Sequence, residues 1–217
     1  MKLLGGNWFP DHEVHMGEWM QAPKNKIIVD GRQTYQWRKQ VAALGYVKQW
    51  RTALDVGGHV GLWSCHLAKK FDHVHAFEPV AEHRACFERN VVAANLTLHA
   101  VALGAAPGKV AMWSEPGSSG NTQVRGEGDI DMSTLDSYGF EDVDFLKIDC
   151  EGYERYVLQG AVDLLARCRP VICVEQKPRV LGNFGFTSPE AVTFLQDMGA
   201  TVLQHYSGDY MMGWNQQ

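Results

Sequence analysis

The residues with chemical potential fall into two groups: a glycine-rich loop flanked by acids, and a later cluster of carboxylates. The stretch ALDVGGHVGLWS, residues 53–64, sets Gly57, Gly58 and Gly61 just after an apolar run containing Asp55. Glycine tolerates positive φ and lets backbone approach a ligand, so Gly57-Gly58-His59-Val60-Gly61 reads as a ligand-binding loop. In it the His59 backbone matters more than its ring, and Gly61 would let the next helix start close to the strand. Mononucleotide phosphates, dinucleotides and S-adenosylmethionine all use such loops. A phosphate-cradling P-loop requires GxxxxGK followed by Ser or Thr, and no lysine follows here. A dinucleotide fingerprint is GxGxxG, whereas this spacing is GGxxG. Asp55 would repel a pyrophosphate, but would attract the ammonium and sulfonium of S-adenosylmethionine. In VHAFEP, residues 74–79, Glu78 closes an apolar strand about 20 residues after Gly57, the spacing of an acid that grips ribose hydroxyls. The rigid Pro79 follows it. Dehydrogenases share that acid, so Glu78 alone indicates a ribose; Asp55 and Glu78 together favour S-adenosylmethionine. The bland alternative for Asp55 is a strand-end acid capping the following helix.

The second group lies in VDFLKIDCEGYE, residues 143–154. Asp149 and Glu151 stand at the mouth of an apolar strand, with Gly152 where a helix should begin. Glu175, in PVICVEQ, ends the next strand and should point toward the same cleft. Three acids at two strand ends exceed what helix capping requires, although Glu151 or Asp149 could cap through first-turn N–H groups. As a catalytic set they suit general-base activation of a neutral hydroxyl, with Asp149 the first candidate, Glu175 the second and Glu151 beside them. Oxygen ligands would also suit Mg²⁺, but nothing in the spacing demands a metal. His12 and His15 resemble a metal pair in an irregular segment and read better as solvated or loop-packing residues. His205 is an outside candidate for substrate contact.

These residues need elements to hold them. Thr52–Val56, His73–Phe77, Leu96–Ala102, Val143–Ile148 and Val171–Glu175 read as strands. Helical periodicity links them over Leu62–Phe71, Ala81–Ala94 and Tyr153–Ala166. Alternating strand and helix implies parallel strands with crossover helices, an open α/β sheet. In such a sheet ligands sit outside the carboxyl ends of the strands, where the glycine loop and the acids are. A helix over Thr34–Trp50, with Trp37, Val41, Leu44 and Val47 on one face, should pack against the sheet. Pro189–Met198 reads as a further helix. ATVLQHY-SGD-YMMGW reads as a closing hairpin with Gly208 in its turn. Residues 1–33 read as irregular, Lys109–Ser114 as an exposed strand and Glu115–Thr122 as a Gly/Ser-rich loop or flap. Trp37 and Trp63 read as core packing.

Composition sets the outer bounds. The chain has 217 residues, 45% of them hydrophobic and 21% charged, which matches an ordinary globular protein. A formal charge of −5 argues against a broadly basic, nucleic-acid-binding surface, leaving only a local basic groove for such a partner. The five cysteines form no CxxC or metal-ligand spacing and read as reduced thiols, so a cytoplasmic setting is expected. No apolar run reaches membrane-spanning length, and the N-terminus lacks the apolar stretch of a signal peptide.

DVGGHVGLWS, VHAFEP, the Glu88–Gly104 run carrying ERN, AN and VALG, and VDFLKIDCEGYE followed by VLQGA occur in this order over about residues 50–180. Together they resemble the FkbM family of S-adenosylmethionine-dependent methyltransferases, best known for O-methylating sugars and polyketide hydroxyls. KID-x-EG-x-E is the most specific part of the match. The resemblance implies a Rossmann-like class I methyltransferase fold: an open, mostly parallel seven-stranded α/β sheet whose last two strands form an antiparallel hairpin. It places Asp55, Gly57, Gly58, His59, Gly61, Glu78 and Pro79 on cofactor positions and Ala102 and Leu103 at the adenine edge. Residues 51–217 would form the methyltransferase domain, with residues 1–50 on its substrate side. The acceptor it implies is a hydroxyl on a sugar, glycan or other small polyhydroxylated molecule. RNA methylation and non-catalytic cofactor binding are the competing readings.

Overall fold

The computed structural model describes residues 1–206 and 208–214. The apolar runs form one seven-stranded sheet from Thr52–Val56 (β1), His73–Phe77 (β2), Leu96–His99 (β3), Val143–Ile148 (β4), Val171–Glu175 (β5), Ala200–Tyr206 (β6) and Asp209–Trp214 (β7). Their spatial order is β6-β7-β5-β4-β1-β2-β3. The pairs among β1 to β5 are parallel, and β7 runs antiparallel to both β5 and β6. The chain winds outward from β1 to β3 and then crosses back to β4, so a topological switch point lies between β1 and β4. The expected fold class is therefore the observed one.

Side chains alternate across the central strands, and both faces are buried. Leu54, Val56, Leu146 and Ile148 join one core cluster. Ala53 and Phe145 point the other way, into a cluster with Trp63, Leu67, Phe71 and Val74. The helices are His15–Gln21 (α1), Trp37–Leu44 (α2), Ser64–Leu67 (α3), Ala81–Asn90 (α4), Glu154–Gln159 (α5), Val162–Cys168 (α6), Pro178–Leu181 (α7) and Glu190–Asp197 (α8).

Several expectations need correction. Residues 1–33 are not irregular: Lys2–Leu4 pairs with Asn7–Phe9, and Ile28–Val29 with Arg32–Gln33. Gly5-Gly6 and Asp30-Gly31 make the two turns, all four at positive φ, as a two-residue hairpin turn of type I′ demands. Glu115–Thr122 is not a loop either. Met112–Glu115 and Ser118–Val124 form a hairpin, turned by Pro116 and a Gly117 at φ +76°. The helix expected over Thr34–Trp50 shrinks to α2 and presents a different face. It buries Lys39, Gln40, Ala43 and Leu44 while Val41 is exposed, because Lys39 pairs with Asp209 and Gln40 Nε2 donates to the Tyr35 carbonyl. Leu62–Phe71 holds only the short α3. The third strand stops at His99; Ala102–Leu103 pairs separately with Ile130–Ser133. The crossover after β4 breaks into α5 and α6 at Gly160, where a Cβ would lie 2.1 Å from the Gly104 carbonyl oxygen. Ser207, part of the expected final turn, lies outside the described residues; Gly208 beside it has φ +89°.

Candidate active site

The carboxyl ends of β1, β2 and β4 open onto one cavity. Gly57, Gly58, His59, Glu78, Pro79, Ala102, Leu103, Asp149 and Glu151 all line it. The glycine loop lies against the end of β4: a Cβ on Gly57 would sit 1.9 Å from the Asp149 carbonyl oxygen, and Gly57 has φ +77°. The Gly57 and Gly58 amides both donate to the Phe77 carbonyl, which fixes the loop across to β2. Glu78 is held in turn. Its Oε2 accepts from the His59 amide at 2.8 Å, and its Oε1 from the Val80 amide at 2.9 Å and His83 Nδ1 at 3.2 Å. A carboxylate has about four acceptor sites, so Glu78 retains capacity for a ligand hydroxyl.

Three expected site residues do not face the cavity. Gly61, at φ +86°, instead lets the loop pack on α4, where a Cβ would meet Val91 at 2.5 Å. Glu175 does not line the cavity, although it places an oxygen within 4.8 Å of the Asp149 and Glu151 oxygens. Asp55 is fully buried beneath the loop, which corrects the expectation that its charge awaits a cationic ligand. The cation it meets belongs to the chain. Asp55 and Lys147 are register partners on adjacent strands β1 and β4, on the same face, with Oδ1 and Nζ 2.9 Å apart. Ser64 Oγ donates to Asp55 Oδ2 at 2.6 Å, and Lys147 Nζ donates to the Gly57 carbonyl at 2.8 Å. Asp55 therefore anchors the lysine that anchors the loop. Burial works against the Lys147 ammonium, but Asp55 and Asp149 outweigh it and raise its proton affinity.

The carboxylates do converge. Asp149, Glu151 and Glu175 each place an oxygen within 4.8 Å of the others. Glu151 turns into the cluster through a left-handed backbone, φ +50°. Burial raises the Glu175 carboxyl well above its ordinary range, reinforced by Asp149, and the same causes raise Glu151. Burial would raise Asp149 too, but Lys147, Lys177 and Lys39 outweigh it and hold that carboxyl low. Asp149 is thus the ionised member facing the cavity. Lys177 lies 2.8 Å from Glu175 Oε2, and Tyr35, whose phenol is raised by burial and by these acids, adds to the cavity wall.

Sequence reasoning missed Tyr35, Lys147 and Lys177. It also missed a buried chain that closes the cavity from the N-terminal side. Glu13 Oε2 accepts from the Ser119 amide at 2.6 Å and from Ser119 Oγ, whose lone pair faces His59 Nε2 at 2.8 Å. With its Oγ–H committed to Glu13, Ser119 can only accept, so His59 carries its proton on Nε2. Burial, with His83 alongside, pushes the His59 imidazole well below its ordinary range, which keeps it neutral.

Residues 55–202 match the methyltransferase FkbM domain, and this span contains both the glycine loop and the carboxylates. The chain belongs to the methyltransferase FkbM family. Among solved structures, the FkbM methyltransferase from Methylobacillus flagellatus KT aligns with a TM-score of 0.55 at 16% identity, covering 78% of this chain and 45% of that one. This FkbM chain therefore spans less than half the length of that relative. A putative rRNA-methylase from Clostridium thermocellum aligns with a TM-score of 0.50 at 10% identity, covering 86% of this chain and 97% of that one. At such identities the likeness is one of fold. No curated protein sequence matches the chain. Among the described residues, no helix is long and apolar enough to cross a membrane.

Proposed function

We propose that this FkbM-family chain is an S-adenosylmethionine-dependent O-methyltransferase acting on a hydroxyl of a sugar, glycan or other small polyhydroxylated acceptor. The observation that carries this reading is the meeting, in one cavity, of the Glu78 carboxylate and the ionised Asp149 across the glycine loop. The donor set suits the cofactor. Glu78 offers free acceptor capacity to ribose hydroxyls, Ala102 and Leu103 offer an apolar edge to adenine, and the carboxylates at β4 supply negative charge for a cationic ligand. That last role, first assigned to Asp55, passes to Asp149 and Glu151, because Asp55 is neutralised by Lys147.

When bound, S-adenosylmethionine supplies an activated methyl group; the chain supplies alignment and charge. Orientation can contribute on the order of 7–11 kcal/mol, and a positioned base roughly 10²–10⁴-fold in rate. Asp149, ionised and lining the cavity, accepts the hydrogen bond of the acceptor hydroxyl and withdraws its proton. Glu151 beside it has raised proton affinity and can share that proton. Tyr35 remains an O–H group able to orient the acceptor. The expected location is the cytoplasm, a setting that suits five free thiols.

A nucleic-acid acceptor is the second reading, but the wall facing the cavity at β4 is acidic and would repel phosphate. Turnover of Asp149→Asn at saturating cofactor decides the base: methylation should fall roughly 10²-fold or more even when the weakened cofactor site is filled. Unchanged turnover would remove Asp149 from the chemistry.

A further inference from the structure

The carboxylate cluster has a charge problem that methyl transfer alone does not explain. Ionised together, Asp149, Glu151 and Glu175 would bring three negative charges side by side, with oxygens mutually within 4.8 Å. Among the described residues, Lys177 is the ammonium that pairs with them directly, its Nζ 2.8 Å from Glu175 Oε2 and 3.5 Å from Glu151 Oε1. The adjoining charges cancel among themselves, Asp55 with Lys147 and Asp209 with Lys39. Fully ionised, the cluster would carry two unbalanced negative charges, which a bound cation can take up in place of protons.

A second observation points to a ligand. Glu151 Oε2 and Glu175 Oε1 are buried and, among the described residues, accept no hydrogen bond. Their residues are only 5% and 1% exposed, so open water does not serve those atoms either. A buried carboxylate oxygen without a partner is costly, and these two belong to side chains that already converge. Asp149 and Glu151 also line the cavity, so the cluster can be reached from it.

We propose that Asp149, Glu151 and Glu175 bind one hard divalent cation, of the Mg²⁺, Mn²⁺ or Ca²⁺ type, at the ends of β4 and β5 beside the cavity. Oxygen-only donors select this class over softer metals. Opposed oxygens around such an ion stand roughly 4–5 Å apart, twice a metal–oxygen distance of about 2.0–2.6 Å, and the observed spread fits that span. The ion's two charges cancel the surplus while Lys177 stays in place. Asp149 and Glu151 line the cavity, so the ion would be reachable from it. There, on the reading proposed above, two neighbouring hydroxyls of the acceptor would enter the shell beside water, which narrows the acceptor class to vicinal diols.

The test is titration of Mn²⁺ alone into the full chain, followed by loss of the free-ion paramagnetic resonance signal and by calorimetry. Binding of S-adenosylhomocysteine is measured separately without the ion. One Mn²⁺ site per chain is expected, weakened roughly tenfold or more by Glu175→Gln and by Glu151→Gln. Lys177→Met should tighten it by removing the competing ammonium. Absence of Mn²⁺ binding to the wild-type chain overturns the site, as does binding untouched by both glutamine variants. If those variants do not fold, the Lys177→Met titration decides: unchanged or weaker binding places the ion elsewhere. Loss of S-adenosylhomocysteine binding would refute the proposed function while leaving the ion result to stand or fall alone.

Discussion

Lys147→Met tests the reassignment of Asp55 from ligand contact to buried anchor. Methionine keeps much of the side-chain volume but leaves the Asp55 carboxylate, fully buried, without its cation. Removing one partner of a buried pair costs about 3–5 kcal/mol, because the remaining charge is uncompensated. For a chain of this length that is a fall in melting temperature of roughly 6–20 °C. The hydrogen bond from Lys147 to the Gly57 carbonyl is lost as well, which keeps the expected value away from the bottom of that range. The double variant Asp55→Asn/Lys147→Met removes both charges, and its amide oxygen can still accept from Ser64. It should recover most of the loss and lie within about 2 kcal/mol of wild type. Urea denaturation followed by tryptophan fluorescence measures all three. A single-variant loss below about 1 kcal/mol, or a double variant no better than the single, would refute the anchoring argument.

Other outcomes follow from the same geometry. Glu78→Ala should weaken S-adenosylhomocysteine binding roughly tenfold or more, since charged hydrogen bonds contribute about 1.5–3 kcal/mol each, and should affect the chemical step less. Undiminished affinity by calorimetry removes Glu78 from the cofactor site. Glu154 is buried, and burial lifts its carboxyl to about 7 despite hydrogen bonds from the Gly152 and Cys150 amides. The folded state therefore holds a proton that the unfolded chain releases at its lower pKa. The associated stability is fully present below the unfolded pKa and is lost as pH rises toward about 7. Its slope should approach 1.4 kcal/mol per pH unit, and Glu154→Gln should flatten that part of the stability profile measured by urea titration.

Much of the fold was legible because buried parallel strands write themselves as apolar runs. Thr52–Val56, His73–Phe77, Val143–Ile148 and Val171–Glu175 begin and end where composition put them. The N-terminal hairpins are legible too, since Gly5-Gly6 and Asp30-Gly31 are strong turn signals even in a segment otherwise rich in Trp, His and Pro. The Pro116-Gly117 pair gave the same warning against a plain loop. The Asp55–Lys147 pair was half legible. A lysine inside the apolar run VDFLKID calls for a buried partner, but choosing Asp55 requires knowing that β4 lies beside β1 in that register. Glu13, Tyr35 and Ser119 gave no local signal. Their roles arise only when the N-terminal segment and the 112–124 hairpin close over the cavity.

On the proposed function, the cavity between Glu78 and Asp149 takes S-adenosylmethionine. Calorimetry of the full chain with S-adenosylhomocysteine, beside NAD under the same conditions, tests it most directly. One-to-one binding of S-adenosylhomocysteine that Glu78→Ala weakens is expected, with no comparable heat from NAD. Binding of NAD without S-adenosylhomocysteine would contradict it.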